Sequence, residues 1–91
     1  MVMLTHRAMA MLVDELGERR AGRLLLELAT ETQRPIAVNV PDDPSDPDGE
    51  STTLMIPPIG WSEERVRGWI GGQHEEIEAA FGQVAGVRRL A

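Results

Sequence analysis

The chain has no cysteine, no tyrosine and no lysine; all nine of its basic residues are arginines. Those gaps remove a thiolate nucleophile, a phenolic acid and a Schiff-base amine from the catalytic inventory. Only His6 and His74 belong to the residue type that ordinarily changes charge near neutral pH. Disulfides and cysteine-based zinc sites are excluded as staples. No apolar run approaches the roughly eighteen residues of a membrane span. The N-terminal stretch carries Asp14 and Glu15 and lacks a small-residue cleavage site, so it does not read as a signal peptide.

A large basic surface is missing as well. Fifteen acidic residues give a formal net charge of −6. That balance argues against nucleic acid and anionic lipid as partners and permits a basic protein. All-arginine usage with abundant Ala, Gly, Val and Asp fits a GC-rich bacterial genome, and a cytoplasmic location is expected. Ninety-one residues make one small α+β domain, 1–91, with a thin core.

Thr5 is the expected N-cap of a first helix, with Met9, Leu12, Val13 and Leu16 at helical spacing behind it. A second apolar set, Ala21, Leu24, Leu25 and Leu28, is rotated by roughly a third of a turn from the first. Two readings follow: one long helix over 5–32 that bends near Gly17–Gly22, or two helices with a glycine-flanked turn. The helix-forming run Glu18-Arg19-Arg20-Ala21 favours one element. Arg34-Pro35 ends it.

Ile36, Val38 and Val40 alternate with Ala37 and Asn39, the period of a strand. A hydrophilic stretch follows, with Asp42, Asp43, Asp46 and Asp48 among three prolines and Gly49, and is expected to be a flexible acidic loop over 41–52. The segment from Ser51 to Pro57 reads as a second strand, and the two pair as an antiparallel hairpin. A last helix is expected from the N-cap Ser62, with Glu63 and Glu64 in its first turn and Arg88 and Arg89 in its last. Val66, Trp69, Ile70, Ile77, Ala80, Val84 and Val87 lie within about 60° of one direction. Gly71-Gly72 threatens to break that helix. If it is continuous, Gly68, Gly72, Gly82 and Gly86 form a bare strip opposite the apolar stripe.

The expected fold is therefore α-β-β-α: a long or broken N-terminal helix, a two-stranded hairpin and a C-terminal helix. An isolated hairpin is marginal in water, so its sheet is expected to be extended by edge-to-edge dimerisation.

Asp46, Asp48 and Gly49 resemble part of a calcium loop, but Pro44 and Met55 occupy two of the required ligand positions. His74 and Glu78 have ligand spacing, yet two ligands make no metal site, and no nucleophile accompanies His74 as a base. No cofactor or metal is expected. Arg19, Arg20 and Arg23 offer a helix-turn-helix reading; the following LLLELATE is too apolar and acidic for a recognition helix. Their plain role is pairing with Glu15, Glu18 and Glu27. Trp61 staples the start of the last helix against Arg65 or Val66, or serves as a binding hot spot.

The function expected from this inventory is a non-enzymatic protein–protein interaction module, an adaptor, regulatory subunit or secretion-type chaperone. The alternatives are an immunity or antitoxin protein covering a basic site on a toxin, and a DNA-binding regulator using Arg19–Arg23. The candidate partner-binding residues are Trp61, Asp42, Asp43, Asp46, Asp48, Arg19, Arg20 and Arg23.

Overall fold

The computed structural model describes residues 1–82, 84 and 86–90. The class is α+β as expected, but the chain holds more elements than the sequence reading found. In order they are β1 (Val2–Leu4), α1 (His6–Leu16), α2 (Glu18–Thr32), β2 (Ile36–Pro41), β3 (Ser51–Ile56), α3 (Glu63–Gly72), α4 (His74–Phe81) and β4 (Gly86–Arg89). The strands form one sheet in the order β1-β2-β3-β4. β1 is parallel to β2, β2 antiparallel to β3, and β3 parallel to β4.

The hairpin is present, with Ile36 opposite Ile56 at one end and Pro41 opposite Ser51 at the other. Pro41, Ser51 and Thr52 thus belong to the ladder, and the acidic loop is 42–50 rather than 41–52. The two outer strands are corrections. Residues 2–4 form a strand held by a Val2 N–H to Pro35 carbonyl bond (2.9 Å), and Gly86–Arg89 is a strand where a helix end was expected. The sheet therefore reaches four strands within one chain, and a second copy is not needed to complete it.

Both crossovers step one place across the sheet in the same direction, while the second strand pair runs opposite to the first. Two crossovers of the same hand must then cover opposite faces. They do. Leu25 and Ala29 of α2 pack on Ile36, Val38 and Ile56, with Met9 and Leu12 of α1 beside them. Ile77 of α4 packs on Ala37 and Met55, with Trp69, Ile70 and Phe81 around it. β2 is consequently buried on both faces over Ile36–Asn39; the alternation of bulky and small residues separates two cores rather than core from solvent.

The helix caps agree with the sequence. Thr5 Oγ1 accepts from the Ala8 N–H (3.2 Å), and Ser62 Oγ from the Arg65 N–H (3.2 Å). The helix lengths do not. Gly17 has φ 82° and ψ 159°, a backbone region open in practice only to glycine, and it splits the expected long helix. The buried stripe of α2 is Ala21, Leu25 and Ala29, while Leu28 is 43% exposed. α3 ends at Gly72, α4 restarts at His74, and Gly82 (φ 78°) terminates it. The bare glycine strip does not exist, because Gly68 and Gly72 lie in α3, Gly82 caps the end of α4 and Gly86 lies in β4. Arg88 and Arg89 are strand residues rather than the end of a helix.

Gly17→Ala tests the break. A Cβ there meets nothing within 4 Å, so crowding is excluded and only backbone strain remains. The expected loss is about 1–3 kcal/mol, read as a lower urea midpoint at unchanged slope.

β4 is tied back to α3. Arg89 donates from Nη1 to Glu63 Oε2 (2.7 Å) and from Nη2 to Oε1 (2.8 Å), a two-bond fork. Those bonds, and then the guanidinium charge, hold the Glu63 carboxyl below its ordinary range.

Candidate functional site

The loop between β2 and β3 carries five carboxylates, all exposed. It is shaped by its own side chains and backbone. The Asp42 N–H donates to the Glu50 carbonyl (2.9 Å), closing the loop's base, and Thr52 Oγ1 donates to Asp42 Oδ1 (2.8 Å). Asp43 Oδ1 accepts from the Ser45 hydroxyl (2.7 Å) and the Ser45 N–H (3.0 Å). The hydroxyl bond first, and the backbone bond second, keep the Asp43 carboxyl below its ordinary range. Among the described residues the ion pairs are Glu63–Arg89 and His74–Glu78. Among the described residues, therefore, no ion pair neutralises the loop's negative charge.

α1 runs beside this loop. Between them lies an apolar groove of about 390 Å³, with Met9, Ala10 and Val13 on the helix side and Pro41, Pro44 and Pro47 on the strand and loop side. Asp14 is the carboxylate in its lining. A second cleft of about 570 Å³ lies on the other side of the loop, lined by Ser51, Asp48 and Glu50 and by Phe81 of α4. His6, Asn39 and Pro47 line both.

The candidate residues from the sequence fall in three places. Asp42, Asp43, Asp46 and Asp48 are on the loop. Trp61 lies past the opposite end of β3, where its Nε1 donates to Gln33 Oε1 (3.3 Å). The Arg65 guanidinium sits 3.9 Å from the Trp61 ring centroid, and Trp69 meets that ring edge-on at 6.1 Å. These contacts realise the staple reading and bury part of the indole. Arg19, Arg20 and Arg23 are exposed on α2, line neither cleft, and make none of the expected ion pairs with Glu15, Glu18 and Glu27 among the described residues.

His6 and His74 are not brought together: His6 lines the two clefts, while His74 Nε2 lies 3.1 Å from Glu78 Oε1 on α4. Among the described residues no group of three metal-ligating side chains is assembled. No described helix is long and apolar enough to cross a membrane.

The cleft does gather His6, Ser51 and carboxylates, a set that invites a hydrolase reading. Ser51 is buried (4% exposed), and no hydrogen bond joins it to His6 among the described residues. A nucleophile must be both reachable and hydrogen-bonded to its base.

Sequence reasoning missed Asn39, His6 and the α1 wall of the groove. Asn39 had a visible signal: it is the one polar residue in the strand segment IAVNV. Met9 and Val13 had none, because their apolar spacing is satisfied equally by a buried core.

No family model matches this chain, and neither the curated proteins nor the solved structures contain a match to it.

Proposed function

We propose that this protein is a non-enzymatic interaction module that seats a basic, partly apolar segment of a protein partner in the groove between α1 and the acidic loop. One observation carries the reading: an apolar groove lined by one carboxylate, Asp14, and walled by Pro44 and Pro47 of a loop whose five carboxylates form no ion pair among the described residues. Apolar side chains of the partner gain burial in such a groove, while its cations gain opposite charge at the rim.

The classes that need this surface are an adaptor, a regulatory subunit or a secretion-type chaperone acting in the cytoplasm. An immunity protein or antitoxin covering a basic site on a toxin uses the same surface in the same way. A DNA-binding role for Arg19, Arg20 and Arg23 gains no support from the groove, since none of them lines it. A second copy of this chain carries the same negative charge and is disfavoured as the occupant.

The test is a photo-crosslinking residue in place of Ala10, with a matched probe in place of Arg67 on α3, in cells that express the protein. The expected result is one protein adduct specific to position 10. That partner, once purified, should bind the wild-type chain with strong salt dependence. An adduct to a second copy of the chain, to nucleic acid, or equally from both positions removes the proposal.

A further inference from the structure

The sheet ends at β4, whose outer edge pairs with no strand among the described residues. Its inner edge bonds to β3, with the Leu90 N–H donating to the Met55 carbonyl (2.9 Å). In a parallel ladder, alternate residues bond to a given neighbour. Arg88 and Leu90 therefore turn toward β3, and the main-chain N–H and C=O groups of Val87 and Arg89 point outward. Such a row is a template for one more extended chain.

A hollow of about 350 Å³ lies beside this edge, lined mainly by apolar groups: Ile70 and Gly71 of α3, Ile77 of α4 and Val87 of β4. Val87 is 50% exposed, so the hollow opens onto the edge. Side chains alternate across a strand. A residue added opposite Val87 presents its side chain to this hollow, and the next one, opposite Arg88, presents its own to the other face. There the exposed Arg88 guanidinium makes no ion pair among the described residues, and Asp42 lines the same small depression without pairing with it. An antiparallel arrival sets a hydrogen-bonded pair at Val87 and a closer, non-bonded pair at Arg88, where opposite charges attract and like charges repel.

We infer that β4 takes a fifth strand: an extended, antiparallel segment of a partner protein, with a bulky apolar residue in the hollow and a carboxylate opposite Arg88. A second copy fits less well. Its own β4 brings Arg88 and Arg89 where a carboxylate is called for, and its β1 (Val2–Leu4) brings no charge. No residue of the hollow lines the groove beside the acidic loop, so this surface is separate from the one proposed above.

The test titrates the ¹⁵N-labelled full chain with the capped peptide Glu-Val-Glu-Leu-Glu-Val-Glu at about 150 mM salt, which screens the net charge. Saturable shifts are expected at the Gly86, Val87 and Arg89 amides and at Ile70 and Gly71. N-methylation at the leucine removes a main-chain donor aimed at β4 and should abolish binding. N-methylation at a neighbouring glutamate, whose N–H faces away, should leave it. The matching peptide with lysine for glutamate should bind about threefold more weakly or less. Arg88 is exposed and makes no hydrogen bond through its side chain among the described residues. Arg88→Glu should therefore fold normally and reverse the preference between the two peptides.

No saturation by about 5 mM peptide, or equal effects of the two N-methyl groups, overturns strand addition. Equal or tighter binding of the lysine peptide, or a preference unmoved by Arg88→Glu, overturns the charge assignment. A dimer in light scattering that Val87→Lys dissociates makes a second copy the occupant and overturns the partner. These outcomes leave the groove reading untouched, because the crosslink from position 10 reads a different surface.

Discussion

Met55→Ala is expected to lower the stability of this fold by about 3–4 kcal/mol, the middle of the range for deleting a fully buried methionine. Met55 heads the fully buried side chains by volume and lies on β3, an inner strand of the sheet. It sits opposite Ala37, so the facing strand contributes only a methyl group to this layer. Ile77 closes the cluster from α4, a helix of eight residues. Such a short helix has little stability of its own and depends on what it packs against. Total stability for a chain of this size is about 5–14 kcal/mol, so this one deletion removes about a fifth of it or more. Urea titration should show a lower midpoint with little change in slope. Amides of α4 should exchange faster than those of α2, whose core lies on the other face. A loss below about 1 kcal/mol would mean that the α4 face is not a packed core.

Replacing Asp42, Asp43, Asp46 and Asp48 together by Asn is expected to weaken partner binding by about ten- to a hundredfold at low salt. Most of the salt dependence should disappear with it. The change removes four of the charges behind the net −6 and keeps side-chain volume nearly constant. Three features argue that folding tolerates it. All four residues are exposed, none pairs with a cation among the described residues, and the bonds from Thr52 and Ser45 terminate on oxygen atoms that an amide also offers. The expected pattern is thus a large loss in affinity with an urea midpoint close to wild type, measured by calorimetric titration at about 50 and 300 mM salt. Equal affinity for the wild-type and four-Asn chains at low salt would show that the loop charge plays no part in binding. A collapse of stability would show instead that these carboxylates hold the fold.

The candidate site was only partly legible beforehand. Its charge was plain, since four aspartates crowd one loop. Its apolar half was hidden, because Met9 and Val13 repeat at the spacing of any core-facing helix, and only the position of α1 beside the loop leaves part of that face open. Trp61 was recognised in both of its roles, and its contacts with Arg65, Trp69 and Gln33 realise the structural one. The arginines of α2 looked like a group free to act, and the fold keeps them apart from both clefts.

What the sequence determined by itself is everything written in short-range chemistry. Thr5 and Ser62 cap helices because their hydroxyls reach an N–H three residues on. Pro35 ends α2, and the alternation over Ile36–Val40 makes a strand. Tertiary structure decided the outer strands and the helix breaks. β1 and β4 have three and four residues, too few to display a period. They are strands because their neighbours supply hydrogen-bonding partners, Pro35 to Val2 and Met55 to Leu90. Gly17 and Gly82 sat in patterns that a continuous helix also fits. Only the need to bring each chain segment back onto its own face of one sheet turned them into breaks. Lacking cysteine and any large core, the chain reaches four strands with helices on both faces by spending its glycines where helices must stop.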